Sequence, residues 1–422
     1  DMTTEVKTMA ESRSDMMQRL AANTRVGYSF DREFYCDDAV FEADMDQVIS
    51  RKWTMAGHVG QVPNKGDFFV FKIGDEQIII IRENATSIRA FYNVCRHRGS
   101  LVCSATSGNA PKLVCPYHAW TYGLDGALLS ARLMPDNFDK TANGLIPCHV
   151  REYFGFIFIN MTDGTPDDFD ATFGDMAAIL DYHGFADAKV AHKASYPTAA
   201  NWKLVVENFL ECYHCQPAHP EFCSMHPPEA LVAVGAGPSS GPTDAVEAYM
   251  PVLEAWERRV AAMGRPVGNI DDTPDSTHLR LVMQRTIRDG YQSETADGTA
   301  ASSLMGKRTE FDGGRMHLAF SPISHVVACN DFAILFQFTP RTATLTDVDI
   351  SWIVGAKAEN PDVAKMVWAW DVTTVQDRQI TEDNQAGIQS KHYIPGRYSD
   401  QERGVVNFQS WYLNQFGLQR AD

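Results

Sequence analysis

Positive charge is scarce in this chain. Lysine and arginine number 37 of 422 residues against 54 aspartates and glutamates, a net charge of −17. So acidic a chain is a poor match for a phosphate backbone, which excludes nucleic acid as a partner. Long hydrophobic runs are missing too. The most apolar stretches, such as Gln77 to Ile81, are strand-length and flanked by charge, whereas a membrane helix needs roughly 18 to 20 apolar residues; no membrane association is expected. The opening DMTTEVKTMAESRSDMM has no basic region followed by an apolar one and does not read as a secretory signal. No G-x-G-x-x-G follows a strand pattern, so flavin or dinucleotide must be held by another protein. Nine cysteines scattered without a framework suit a reducing compartment, where cysteine serves as ligand or buried hydrophobe. The expected location is cytoplasmic.

What is present is ample core material, with 44% hydrophobic and 22% charged residues, inside the range of globular proteins. Three segments differ in texture. Residues 1–45 form an acidic, partly helical lead-in, with Met17, Leu20 and Ala21 at helical spacing between Glu11 and Ala22. Residues 46–162 hold short β-rich runs, Asp67 to Ile73, Gln77 to Ile81, Ile88 to Asn93 and Phe154 to Ile159, separated by turn clusters; they predict a small antiparallel barrel or sandwich. Residues 163–422 mix helical patterns at Asn201 to Cys215, Asp244 to Met263 and Pro361 to Gln389 with strand-like runs at Val326 to Phe338 and Asp347 to Gly355. Such unalternated runs predict an α+β fold. Gly235 to Thr243, GAGPSSGPT, reads as a loop.

Within the β-rich segment, Cys95-x-His97 and Cys115-x-x-His118 stand seventeen residues apart. Each pair offers one thiolate and one imidazole. A Rieske [2Fe–2S] centre needs this inventory, two cysteines on one iron and two histidines on the other. Zinc also takes Cys2His2 sets, but zinc fingers usually keep the two cysteines in one pair and the two histidines in the other. Cys103, with no cysteine to complete a bridge in the Cys115 loop, reads as a buried thiol.

A second constellation, Glu211-x-x-His214-x4-His219, follows an apolar helical pattern. Glu211 and His214 at i and i+3 are expected on one helical face, with Glu207 a turn earlier. Pro217 is expected to end the helix and present His219 from the next turn. Two histidines five apart are most often surface or core residues. A cluster that stores one electron needs an acceptor, however, and two imidazoles plus one carboxylate form the facial set of non-haem iron(II). The helical pattern after Asn360-Pro361, read as cap and first position, carries Val363, Met366, Val367, Trp370 and Thr374 on one stripe. Asp377 lies on that stripe, while Asp371, Glu382 and Asp383 lie roughly 100° or more away. Asp377 is therefore the expected third ligand.

The flanks CRHRGSLVC and CPYHAWTYGLDGAL, with both ligand sets, resemble the catalytic subunit of Rieske non-haem iron oxygenases. The resemblance implies a small antiparallel β Rieske domain over 46–162, a larger helix-flanked antiparallel-sheet catalytic domain of helix-grip type over 163–422, and a lead-in packing on the latter. It also implies a homotrimer in which Glu211 bridges His118 of one subunit to His214 of the next, and a separate flavin or iron–sulfur reductase supplying electrons from NAD(P)H. Many members have aspartate at the bridge; glutamate, with NFLECYHCQPAHPEF and IPGRYSDQERGVVNFQSWY, is similar to the branch that oxidises quaternary ammonium compounds, such as glycine betaine and stachydrine demethylases. The implied reaction is O2-dependent N-demethylation with formaldehyde release. A trimethylammonium head favours an aromatic cage, for which Phe209, Tyr213, Phe336 and Trp352 are candidates, each also a candidate for plain core packing. Two other readings stay open, an aromatic ring hydroxylase of the same fold and a Rieske electron carrier without the second metal.

Overall fold

The computed structural model describes residues 11–233, 243–418 and 420; Gly235 to Pro242 of the expected loop, and the first ten residues, lie outside them. Four antiparallel sheets form the frame. The smaller three carry the β-rich segment. Ile88–Tyr92, Glu76–Arg82, Asp67–Ile73 and Ser107–Asn109 make a four-stranded sheet; Leu113–Val114, Thr121–Tyr122 and Leu128–Ser130 make a three-stranded one; Thr54–His58, Phe156–Asn160 and His149–Tyr153 make another. The run of four isoleucines at 78–81 is buried on both faces. Ile79 and Ile81 pack with Cys95, Cys115 and Trp120, while Ile78 and Ile80 join the main core. A strand covered on both sides needs such a continuous apolar run rather than alternation.

The largest sheet has seven strands in the order Lys189–Ser195, Leu345–Val354, Phe332–Thr342, Ser324–Ala328, Gly314–Ser321, Leu281–Thr286 and Ile270–Asp271. Alternate residues of its strands face opposite layers. Ile334, Phe336 and Phe338 meet the helices Trp202–Phe209, Val363–Ile388 and Arg403–Gln415. Ala333, Leu335, Leu318 and Phe320 instead meet Met55, Phe156 and Phe158 of the small sheet. The lead-in is pinned by a fully buried group: Asp44 accepts from Trp202 Nε1 at 2.9 Å and from Tyr412 OH at 2.5 Å, and it pairs with Lys203. A buried carboxylate and ammonium hold each other there, with further donors filling the carboxylate's lone pairs.

Four local expectations change. The helix expected over Asn201 to Cys215 stops at Phe209. Gly404 lies so close to the Leu210 carbonyl that a Cβ would stand 2.5 Å from it, so the last helix packs directly on the chain's exit. Pro217 then sits inside a new short helix, Cys215–Ala218, in the first turn, where its missing N–H costs nothing. The long helix starts at Val363 with Asp362 as its cap, accepting from Lys365 N, rather than at Asn360-Pro361. The run Val326 to Phe338 is a hairpin, broken at Cys329–Asp331, where Cys329 N donates to Phe332 O. Finally, Cys212 and Cys215 form a disulfide across the turn that follows Phe209, where free thiols were expected.

Candidate metal centres

The two loops of the small domain that carry Cys95 and His97, and Cys115 and His118, are built alike. Four residues after each cysteine the backbone turns left-handed, at Gly99 (φ +77°) and Ala119 (φ +59°). The amide there donates back to the cysteine carbonyl, at 3.0 Å in both loops. The repeated turn buries Cys95 and Cys115 and leaves His97 and His118 at the surface. The two imidazoles face each other through their Nδ1 atoms at 3.1 Å, and Trp120 stacks on His97. Loss of hydration, then the nearby His97 and Arg98, holds His118 below the ordinary imidazole value, which favours the neutral form that a metal ligand needs. Burial raises the Cys95 thiol. Tyr122 OH lies 3.3 Å from Cys95 Sγ and accepts from Arg96 N at 3.1 Å. The hydroxyl and the sulfur are thus within hydrogen-bond reach of each other, and a hydrogen bond to a cluster sulfur tunes the cluster's potential. Asn93, fully buried, accepts from Val102 N and Cys103 N and donates to Cys103 O, fixing the far side of the first loop. Cys103 is buried and free, its thiol pushed up to about 11 by desolvation.

The second centre draws on distant chain. One atom each of His214, His219 and Asp377 lies within 4.8 Å of the others, and this is the metal-type trio found among the described residues. Asp377 Oδ1 is 2.9 Å from His219 Nε2 and 3.4 Å from His214 Nε2. The outer nitrogens decide the tautomers. Glu211 Oε1 contacts His214 Nδ1, and a carboxylate only accepts, so that nitrogen carries the proton. Gln376 donates its amide to Glu221 Oε2 at 3.0 Å and so turns Oε1 to His219 Nδ1 at 2.7 Å. Both Nε2 atoms and a carboxylate oxygen therefore converge on one space, which a cation, whether a proton or a metal ion, holds together. Burial acts to lower His214, but Asp377 and Glu211 outweigh it and raise the group to about 10. His219 is likewise raised by Asp377 against burial, and the two histidines hold Asp377 low against its own burial. Electrostatics and geometry agree that the trio attracts positive charge.

The rival acids have other partners. Asp371 accepts from Tyr196 OH at 2.5 Å, Glu382 accepts from Ala199 N at 2.9 Å and Asp383 from Gln379 at 3.1 Å. Glu211 reaches His214 not along a helix but through a turn that it closes itself, accepting from Tyr213 N and from His214 N.

The pattern of the Rieske [2Fe-2S] domain matches residues 52–145, and that of the ring hydroxylating alpha subunit (catalytic domain) matches residues 185–417, over half of the chain. The chain belongs to the Rieske ring-hydroxylating oxygenase alpha subunits. It is 37% identical to the glycine betaine monooxygenase oxygenase subunit of Pseudomonas aeruginosa (strain UCBPP-PA14), over 93% of this chain and 91% of that protein. A solved quaternary ammonium Rieske monooxygenase, described in terms of carnitine oxidation by gut microbiota and inter-subunit electron transfer, superposes with a TM-score of 0.70 at 25% identity, covering 94% of this chain and 98% of that one. The naphthalene 1,2-dioxygenase of Rhodococcus sp. shares the fold at 18% identity and a TM-score of 0.70, over 96% and 98%. A Rieske oxygenase is an oxidoreductase carrying a [2Fe–2S] cluster and a mononuclear iron, and the two donor sets described above fit those groups.

The pocket of this Rieske oxygenase is small, about 50 Å³; it opens beside the trio and is walled by Phe209, Phe222, Trp370, Arg285, Arg315 and His317. Of the expected cage residues, Phe209 lines it. Phe336 lines an adjoining cavity that shares Phe209 and Asp377, and its ring packs on Phe209 and Trp370 at 5.0 and 4.9 Å. Tyr213 and Trp352 are not brought to the pocket. Tyr213, 57% exposed, turns to an outer groove beside Glu211 and His214. Trp352 pairs with Ile334, whereas Phe336 pairs with Ile350, which sets Trp352 about 7 Å further along the sheet, packed on His192. Phe222 and Trp370 take their places. Trp370 was visible on the Asp377 stripe; Phe222, three residues after His219, and the strand residues Arg285, Arg315 and His317 gave no signal of their own. No helix among the described residues is long and apolar enough to cross a membrane.

Proposed function

We propose that this chain is the oxygenase component of a monooxygenase that removes an N-methyl group from a small quaternary ammonium compound, glycine betaine or a related betaine. The observation that carries the reading is the convergence of His214, His219 and Asp377 on a pocket whose walls are the rings of Phe209, Phe222 and Trp370. Desolvated aromatic faces attract a methylated ammonium group, which carries its charge without hydrogen-bond donors. The likeness to a glycine betaine monooxygenase subunit supports it. Cys95, His97, Cys115 and His118 are the cluster ligands in this reading, and His214, His219 and Asp377 the iron ligands. When bound, the cluster relays single electrons and the iron activates dioxygen for hydroxylation of an N-methyl C–H bond.

The chain's own groups prepare that step. Glu211 keeps the proton on His214 Nδ1 and Gln376 keeps the one on His219 Nδ1, so both Nε2 atoms stay free to ligate. The rings exclude water and orient the methyl group. The hydroxylated product, a carbinolamine, collapses to formaldehyde and the demethylated amine. Electrons come from NAD(P)H through a separate flavin or iron–sulfur reductase. The chain works as a cytoplasmic homotrimer, in which Glu211 links His118 of one subunit to His214 of its neighbour. Within one chain, His118 is instead hydrogen-bonded to His97. The purified protein with a generic reductase and NADH releases one formaldehyde per O2 consumed from a betaine of the panel. Ring hydroxylation of an aromatic acid without formaldehyde overturns the reading.

A further inference from the structure

Asp377 has a cavity on each side of it. The helix Val363–Ile388 gives Trp370 and Thr373 to the pocket described above, and Thr374, Arg378 and Thr381 to a second cavity of about 30 Å³; Asp377 borders both. His214, His219 and Asp377 all line the pocket, whereas of the three only Asp377 borders the second cavity. The partition is Phe209, whose ring packs on Phe336 and Phe338 at 5.0 Å each and on Trp370 at 5.9 Å. The surface of the second cavity is mainly apolar, with Val205, Phe209, Phe336, Phe338 and Val348 in its walls. Two of its hydroxyls are already spent on backbone: Thr198 Oγ1 donates to Tyr196 O at 2.9 Å and Thr381 Oγ1 to Asp377 O at 2.6 Å. Asp377 spends Oδ1 on the two histidines. One water needs about 10 to 15 Å³ of such space and two to four polar partners, so there is room for one or two small guests and little to hold water. Asn208 and Thr381 also line the outer groove beside Glu211 and His214, so the cavity stands between that groove and Asp377.

We propose that this cavity is a dioxygen site, through which the gas passes from the outer groove to the iron behind Asp377 while the substrate fills the pocket in front. The proposal rests on the oxygenase reading of the iron site and is indifferent to which methylated amine is oxidised. Hydroxylation needs substrate and dioxygen at the iron together, and a pocket of about 50 Å³ leaves little room beside a bound substrate. Dioxygen is small, uncharged and apolar, and apolar walls favour such a guest over water. Dry cavities of this kind take up apolar guests such as xenon. Each reactant thus has its own approach, and Phe209 is the wall between them.

Xenon tests the site without turnover. Crystals of the metal-loaded protein, with or without glycine betaine, are expected to show xenon between Val205, Phe336 and Val348 under gas pressure. No xenon there overturns the proposal, and this arm needs no variant to fold. Val348→Phe places a ring in the cavity at a residue that lines neither the pocket nor the metal trio. It is expected to exclude xenon. It should also slow nitric oxide association with the iron(II), read by electron paramagnetic resonance after rapid mixing, and lower kcat/KM for dioxygen, each by about 10- to 100-fold, the span of overpacking a filled space. Iron content and glycine betaine affinity stay unchanged. Unchanged gas rates in a variant that no longer takes up xenon overturn the route. An equal loss of glycine betaine affinity makes the cavity part of the substrate pocket and overturns it as well. Val348→Ile, one methylene larger than the native residue, carries the same test in a smaller step if the phenylalanine variant does not fold. If xenon and nitric oxide behave as expected but no betaine releases formaldehyde, N-demethylation falls and the gas site stands.

Discussion

The two metal centres are assembled by opposite strategies. The candidate cluster ligands come from two short loops, one on the four-stranded and one on a three-stranded small sheet, each a copy of the same left-handed turn, with the imidazoles left at the surface. The candidate iron ligands come from a turn, the end of a four-residue helix and the middle of a 26-residue helix more than 150 residues away, with His219 fully buried. A local turn can be specified by a few residues and can hold its metal at a surface that other proteins touch. A site made of distant elements depends on the whole core, and in return it encloses a pocket.

The sharpest test of this contrast is to disable each centre alone. Cys95→Ser is expected to abolish the Rieske spectrum with mononuclear iron retained, and Asp377→Ala to empty the iron site and stop turnover with the cluster still reducible; metal analysis and electron paramagnetic resonance read both. Loss of both metals in either variant would mean that the centres are not independent. Next in size is Glu211→Gln. The amide can donate to or accept from His214 but cannot replace both carboxylate contacts. Both metals should stay, while single-turnover oxidation of the reduced cluster slows about 10- to 100-fold, as for other outer carboxylates; an unchanged rate removes Glu211 from the electron path. Gln376→Leu leaves His219 without its orienting acceptor. Iron affinity should fall by a factor on the order of 10, seen by chelator competition, with the cluster untouched. The smallest effect is Ala119→Gly, which relieves a left-handed alanine that its twin loop avoids with Gly99. It should raise stability by roughly 0.5 kcal/mol in urea melts, without moving the iron site; a loss of stability would show that the Ala119 methyl packs usefully.

The same contrast explains what could be read from the chain. The cluster loops are legible because four candidate ligands fall within 24 residues at a spacing that suggests the geometry. Asp377 is legible because a helix converts sequence interval into direction, so an acid on the apolar stripe is conspicuous. The end of the helix at Phe209 is not, since it depends on Gly404 meeting Leu210 across two hundred residues. The hairpin inside Val326 to Phe338 hides because apolar residues continue through its turn. Arg285 and Arg315 are ordinary arginines until strand register sets them opposite each other. Trp352 misleads for the same reason: its face is that of Phe336, but register carries it past the pocket.

Met55, Phe156 and Phe158 share one interior with Leu318, Phe320 and Leu335 of the catalytic sheet. The cluster-bearing portion is therefore bolted to its neighbour rather than hung from it. Excised near residue 162, it would bare a face of aromatic rings and clump, so it is no detachable electron carrier. Among the described residues no hinge separates the strands Thr54–His58 and Phe156–Asn160 from the catalytic sheet, because one apolar interior holds both.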